Sequence, residues 1–481
     1  MITVEERIME TKRIIIAVVL VALVISSVSI VLLTLPEPPP TNPLNGTDTT
    51  APVLTITNPS NQSEVFGAVS LSFTATDNNT IGRYEIHIDG VIVTVQQAYN
   101  WNTMGVADGI HNITFRARDE AVNWGESVIF VTVNNSIIPD YDFSGIFKIM
   151  AYNIEESGVN SDWKEVVKEE NPDILMLVET GDFDNNGNMQ LQQVVEEFND
   201  NFVDELPYSG FCAQDIFFTT SGEAILSRYP VMAFHQIPVV TLDDDAGYDV
   251  THDFIDAIID INGTSVHFIG MHLKAGGGES NIERRNWENE GILNYMDNLG
   301  NVPIVYLGDM NSYSPEDTVT IDNDYGYGPM TMLVDPDDPI FGNYSSKVHN
   351  FTDVYRALYP SELGYTYGHQ YAPLLGRIDY IIVNDFFTDK LINATVGDTA
   401  HADTGSDHYS LDLFVTWNGT GASTISTPAY VGIRQRAPTA DPSVIQLDIQ
   451  NDWIYRERIP QIDYIAVQLA MNHCWRNRNI E

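Results

Sequence analysis

Cysteine and positive charge are the two things this chain has little of. Its 481 residues include two cysteines, Cys212 and Cys474, and no Cys-x-x-Cys pair. That excludes a disulfide-built scaffold and a thiolate zinc module; two buried free thiols are expected, and one disulfide is the most the chain could form. Lysine and arginine together number 23 against 67 acidic residues, a formal net charge of -44. Such a surface repels polyanions and like-charged membranes unless salt screens it or cations bind it, which suits a halophilic or cation-rich setting. Apolar residues are not scarce: at 43% they are ample for packed cores, and the length suits roughly three domains.

Long apolar runs are absent with one exception. Ile14 to Leu35 is apolar apart from Ser26, Ser27, Ser29 and Thr34, and about 22 such residues span a hydrocarbon core of about 30 Å. Arg7, Lys12 and Arg13 precede it, and no Lys or Arg follows before Arg83. The positive-inside rule then makes 1–13 a cytoplasmic tail and 14–35 a single-pass transmembrane helix in the cell membrane, with everything after it outside. The run exceeds a signal-peptide core and no small-x-small site follows it; a cleaved signal is the alternative. Asn-x-Ser/Thr acceptors at Asn45, Asn61, Asn78, Asn112, Asn134, Asn262, Asn343, Asn350, Asn393 and Asn418 all lie beyond it, as an extracellular glycoprotein requires. Residues 36–50, opening on Pro36-Glu-Pro-Pro-Pro, read as a stiff linker.

Residues 51–136 carry short alternating runs broken by turn residues, such as Val69-Ser-Leu-Ser-Phe-Thr-Ala-Thr and Ser127-Val-Ile-Phe-Val-Thr-Val. This predicts an antiparallel sandwich, with a tight hairpin at Asp89-Gly90. The stretch, including Ala117-Arg-Asp-Glu-Ala-Val-Asn-Trp124, resembles bacterial-type immunoglobulin-like modules. It holds no catalytic constellation, which leaves a spacer or a glycan-binding module.

Between residues 146 and 416 strand-like and helix-like segments alternate, as in an α/β layered domain. Its centre is Val302-Pro-Ile-Val-Tyr-Leu-Gly-Asp-Met-Asn-Ser-Tyr313. Four apolar residues form a buried strand, the Gly breaks it, and Asp309 and Asn311 follow at period-two spacing, so both side chains can leave on one face. The alternative is a strand ending in a turn, since Gly, Asp, Asn and Ser favour turns. Elsewhere too, functional side chains stand where apolar strands stop: Asn153 after Phe147-Lys-Ile-Met-Ala-Tyr, Glu179 after Asp173-Ile-Leu-Met-Leu-Val, and His272 after Ser265-Val-His-Phe-Ile-Gly-Met. Helices are expected at Trp163 to Glu170 and Leu191 to Phe202.

Asn153, Glu179, His272 in Met-His-Leu-Lys, Asp309 and Asn311 in Gly-Asp-Met-Asn, Asp379 in Arg-Ile-Asp-Tyr, and Asp407 with His408 in Gly-Ser-Asp-His-Tyr resemble, in order and context, the endonuclease/exonuclease/phosphatase superfamily. The resemblance implies a DNase I-like α/β (α+β) four-layer sandwich of two mixed sheets, and a divalent metal, Mg2+ with Mn2+ as the alternative. It assigns Glu179 as metal carboxylate, with Asn153 and Asp407 beside it. Asp309 orients or deprotonates the attacking water, Asn311 holds that water or a phosphoryl oxygen, Asp379 orients His408 on a nonbridging oxygen, and His272 is the second histidine on the phosphate. Phosphodiester cleavage needs an activated water and neutralisation of the charge growing on phosphorus, which such groups supply.

Only eleven Lys and Arg occur between 146 and 416, and five adjoin the motifs: Arg228, Lys274, Arg284, Arg285 and Arg377. They would give a positive rim for phosphate, with Lys274, Arg284 and Arg377 as the binding candidates; helix solvation for Arg284, and pairing of Arg377 with Asp379, are the alternatives. Asp182-Phe-Asp-Asn-Asn-Gly-Asn188 has the oxygen spacing of a calcium loop through Asp182, Asp184, Asn186 and Gln190, but position twelve is Gln193 and lacks a bidentate carboxylate; an acidic turn is the alternative to a structural Ca2+. Residues 417–481 show no clear period and stay unassigned.

The expectation is a membrane-anchored extracellular phosphodiesterase acting on nucleic acid, with lipid head groups or inositol phosphates as the alternative substrates and a non-enzymatic adhesion protein as the third reading. Oligomeric state is not legible.

Overall fold

A computed structural model describes residues 48–136, 145–155, 161–214, 222–317, 325–368, 376–397 and 399–417. The expected cytoplasmic tail, the apolar span at 14–35, most of the linker, Cys474 and the C-terminal stretch lie outside the described residues. Among the described residues no helix is long and apolar enough to cross a membrane.

The first domain has eight strands: β1 (Val53–Asn58), β2 (Glu64–Val65), β3 (Ala68–Thr76), β4 (Ile81–Ile88), β5 (Val91–Thr94), β6 (Ala98–Asn102), β7 (Gly109–Asp119) and β8 (Trp124–Val133). They form two sheets, β1-β3-β6 and β2-β8-β7-β4-β5. Alternation is the cause: on β7, Ile113, Phe115 and Ala117 are fully buried, and they meet Leu71 and Phe73 of β3. Asp89 and Gly90 join β4 to β5 with φ of 49° and 81°, the left-handed pair that a two-residue hairpin turn requires.

Among the described residues twelve strands build the second domain: β9 (Gly145–Asn153), β10 (Ile174–Val178), β11 (Ser209–Cys212), β12 (Glu223–Ser227), β13 (Val231–Thr241), β14 (Gly247–Ile261), β15 (Thr264–His272), β16 (Ile304–Asp309), β17 (Phe351–Asp353), β18 (Asp379–Asn384), β19 (Leu391–Val396) and β20 (Leu411–Trp417). One sheet runs β11-β12-β10-β9-β20-β19 and the other β13-β14-β15-β16-β18-β17. Both are mixed, because β9 with β10 and β15 with β16 are parallel pairs among antiparallel neighbours.

Period-two burial on both faces makes the layers. Ile149, Ala151, Ile174 and Met176 of one sheet face Ile255, Phe268, Val305, Leu307 and Ile381 of the other. Their alternates Met150, Tyr152, Leu175 and Leu177 pack on helices α1 (Asp162–Glu170) and α2 (Asn185–Asn201) through Trp163, Val166, Val167, Leu191 and Phe198. On the far side Ile304, Tyr306 and Tyr380 meet Ile292, Leu293 and Met296 of α3 (Glu279–Leu299). The order helix, sheet, sheet, helix is the expected four-layer sandwich. Cys212 is buried and, among the described residues, forms no disulfide.

The two domains touch. Asn100 donates to the Cys212 carbonyl at 3.2 Å, Asn188 to Ser70 Oγ at 3.4 Å and Gln192 to Ser72 Oγ at 2.8 Å. A Cβ on Gly67 would lie 2.5 Å from the Val231 carbonyl oxygen, so the contact depends on close backbone approach.

Candidate active site

Strand register brings the polar residues to one end of both sheets. In the parallel pair β15/β16, His272 stands beside Asp309, and in the antiparallel pair β16/β18, Asp309 stands beside Asp379. In the other sheet the parallel register sets Asn153 against Val178, the residue before Glu179. Asp407 and His408 arrive on the turn preceding β20, where Ser406 Oγ donates to the Asn153 carbonyl at 2.7 Å and accepts from the His408 amide at 3.1 Å. The apolar strand interiors thus fix the layers, and their ends deliver the chemistry.

The side chains meet across the sheets. Asn153 Nδ2 donates to Glu179 Oε1 at 3.0 Å and to Asp309 Oδ2 at 3.1 Å. His408 Nδ1 is 2.8 Å from Asp379 Oδ2, and its Nε2 is 3.8 Å from both Asp309 Oδ2 and Asp407 Oδ1. His272 Nε2 lies 3.5 Å from Glu179 Oε1 and 3.9 Å from Asp309 Oδ2. Glu179 and His408 therefore flank one pocket, linked through Asn153 and Asp309. Asn153, His272, Asp309, Asp379 and His408 are all buried, while the Glu179 side chain keeps 24% of its surface open.

Burial of so many carboxylates governs the electrostatics. Asp309 is pushed up to about 8, first by burial and then by the neighbouring charge of Asp379. Burial, with Glu179 and Asp379 nearby, also raises Asp407, and burial with Asp407 raises Glu155. For His408 burial favours the neutral ring, but the charge and hydrogen bond of Asp379, with Asp309 and Asp407, outweigh it and carry the ring up to about 10. His272 goes the other way, to about 3, because burial, His408 and Lys274 all disfavour its cation. One protonated and one neutral imidazole thus face the same carboxylates.

These residues fit a divalent cation. Glu179, His272 and Asp309 each offer a ligand atom within 4.8 Å of the others. Among the described residues neither ring nitrogen of His272 has a hydrogen-bond partner, nor does Asp379 Oδ1, although all three atoms are buried. Hard carboxylate oxygens with one or two protein charges are what magnesium takes.

Several expectations change. The strand ends at Asp309, and Asn311 does not continue it at period two. Its φ is 49°, its amide N–H donates to Asp309 Oδ1 at 2.7 Å and its Nδ2 to the Leu273 carbonyl at 3.1 Å. The turn reading holds there, and Asn311 clamps Asp309 and the β15 exit. Arg377 leaves the phosphate-binding set: it is 2% exposed, with Nη1 2.6 Å from Asp353 and Nη2 2.7 Å from Asp317. Arg284 donates to Thr251 Oγ1 at 2.6 Å and to the Asp249 carbonyl at 3.0 Å, and Lys274 is half-buried beside Glu288. Asp182 and Asp184 lie in a 3-10 turn, followed by Asn186 at the kinked start of α2 with φ of 51°. Among the described residues neither Asp is in a converging group of three metal-ligating His, Cys, Asp or Glu side chains. Gln190 lies within α2. The segment packs on the first domain, where a Cβ on Gly187 would meet the Phe73 carbonyl oxygen at 2.7 Å.

Three neighbours escaped sequence reasoning. Glu155 accepts from the Asp407 amide at 3.1 Å, and its place two residues after Asn153 was a usable signal. His252 stacks on His272 with ring centres 4.1 Å apart and planes 7° from parallel. Glu223 opens β12 opposite Val178. Neither of these last two follows an apolar run, so periodicity does not single them out.

Among solved structures the chain is similar to a 3′ phosphatase from Neisseria bound to a product DNA hairpin (18% identity, TM-score 0.41, 56% of this chain and 100% of that one). It is also similar to an AP endonuclease from Archaeoglobus fulgidus (17%, 0.39, 56% and 98%) and to an endonuclease/exonuclease/phosphatase family protein from Leptotrichia buccalis (16%, 0.40, 56% and 100%). No curated protein matches the chain. A bacterial Ig domain model matches residues 52–114. The model of the Endonuclease/Exonuclease/phosphatase family matches residues 150–408, more than half of the chain and every residue of the pocket, so the chain belongs to that family of metal-dependent phosphoric ester hydrolases.

Proposed function

We propose that the chain is a nuclease, hydrolysing a phosphodiester of DNA or RNA by attack of water on phosphorus. The observation that supports this most is the pocket in which Glu179, Asn153 and Asp309 are joined by hydrogen bonds while His408, held by Asp379, faces them. Glu179, with Asp407 and Asn153, would hold Mg2+ or Mn2+, which supplies charge neutralisation at the phosphoryl group and acidifies a bound water. Asp309, raised toward neutrality, accepts the proton of the attacking water; a base with a pKa near the working pH combines availability with driving force. The His408 N–H on Nε2 faces a nonbridging oxygen, and Asp379 keeps that ring oriented and charged. His272, neutral and buried, orients rather than charges the phosphate. Anchorage by the apolar run and display outside the cell belong to the same proposal and rest on the sequence alone.

A second reading follows from the arginines. Arg377 and Arg285 are consumed by internal partners, which leaves few cations for a long polyanion and favours a small phosphoester such as a lipid head group or an inositol phosphate. The test is a substrate panel: with Mg2+ the purified chain should nick plasmid DNA, EDTA should stop it, and Asp309→Ala should lose at least about a hundredfold in rate. Turnover of head-group phosphoesters with DNA untouched would replace the nuclease reading by the second.

A further inference from the structure

Beside the pocket lies a group of which the proposed reaction uses only His272. Glu223 at the start of β12, His252 on β14 and His272 at the end of β15 each present one ligand atom, and these atoms lie within 4.8 Å of one another. Glu223 is 1% exposed and His272 3%. The two imidazoles stack 4.1 Å apart and nearly parallel. His272, the residue shared with the pocket, has both ring nitrogens buried with no hydrogen-bond partner among the described residues. A buried imidazole with two idle nitrogens is costly unless something binds it.

We propose that Glu223, His252 and His272 form a second cation site, selective for a borderline divalent ion of the zinc class and adjacent to the carboxylate-rich phosphate pocket. The donor set carries the choice of ion. Two nitrogens and one carboxylate suit zinc or a similar transition ion, whereas magnesium takes oxygen. Three protein ligands leave a fourth position open. One ligand nitrogen of each ring already lies within 4.8 Å of the other and of a Glu223 oxygen, and rotation about χ2, a soft torsion for histidine, would turn them onto one point. His272 Nε2 already lies 3.5 Å from Glu179 Oε1. Ligation through its other nitrogen would complete a carboxylate–imidazole–metal chain, the arrangement that fixes ligating histidines elsewhere. The first cation site would then be positioned partly by the second.

The inference does not depend on the substrate or on turnover, so its test reads the metal directly. The full chain, stripped with EDTA and titrated with Co2+ in excess Mg2+, should develop the visible absorption of cobalt in a nitrogen-containing site, at one equivalent, displaced by Zn2+. Glu223→Gln and His252→Phe, the second keeping a ring in the stack, should each weaken that binding by at least about tenfold, the low end even for groups that only support a ligand. Glu179→Gln, which removes no ligand of this site, should weaken it less than either. On the unsubstituted chain the 15N resonances of the His252 and His272 rings should shift with one equivalent of Zn2+, a readout free of any folding defect in a variant. Absence of both the band and the ring shifts in the full chain overturns the site, as does a band left unchanged in folded Glu223→Gln and His252→Phe.

Discussion

His408 and Asp309 are neighbours with opposite problems, and each moderates the other's. The ring is fully enclosed yet kept cationic by Asp379 at 2.8 Å, and Asp309 is enclosed yet lacks a hydrogen-bonded cation of its own, since His408 Nε2 stays at 3.8 Å. Sequence reasoning reached Asp309 at the end of an apolar strand, and His408 through the resemblance of Gly-Ser-Asp-His-Tyr to the family's motif. It misread Arg377 because an arginine two residues from a motif carboxylate looks available until the fold buries it between Asp353 and Asp317. Arg377→Ala leaves the buried Asp353 short of its cation while Arg356 still pairs with Asp317, and removing one partner of a buried pair costs about 3–5 kcal/mol. Urea unfolding should show that loss, while KM of the folded fraction stays unchanged; a raised KM at full stability would return Arg377 to phosphate binding.

At the scale of elements, strand ends were readable and docking surfaces were not. The runs ending at Asn153, Glu179, His272 and Asp309 announce buried strands through unbroken apolar composition, and the structure extends or trims them by only a residue or two. Segment 182–188 was read for its oxygen spacing alone, yet its backbone serves contact with the first domain. Gly187 has φ of 70° and faces the Phe73 carbonyl oxygen, so a side chain there meets both backbone strain and a clash. Gly187→Ala should lower stability by more than about 1 kcal/mol, read as an earlier thermal unfolding transition, with phosphodiester turnover per folded molecule unchanged. An unaltered transition would mean that this contact does not hold the domains together.

For the whole molecule, acidity and metal are one subject. With 67 acidic residues the chain gathers carboxylates at the very pocket where a cation is to be neutralised. Asp309 and His408 both have folded pKa values above their ordinary ones, so the folded state holds more protons and stability falls as pH rises through those values. For Asp309 the window runs from about 4 to about 8, for His408 from about 6.5 to about 10; His272, lowered to about 3, opposes them only below about 6.5. The metal-free chain should therefore melt progressively lower from pH 6.5 to 10, and Mg2+ should flatten that slope by stabilising the ionised carboxylates; equal slopes with and without metal would contradict it. Alternating α/β elements and polar strand ends were legible because they are local features, and the resemblance of the motifs to a known family joined them into one fold and pocket, whereas His252, Glu223 and the domain contact arise only from three-dimensional packing. The most direct test of the whole account is hydrolysis of a simple phosphodiester, bis(p-nitrophenyl) phosphate, by the full chain with Mg2+. Glu179→Gln and His408→Ala, at the ends of β10 and β20 on either side of β9 in one sheet, should each cut turnover by at least about a hundredfold and EDTA should abolish it; turnover that survives both substitutions, or survives EDTA, would show that these residues do not share one phosphate.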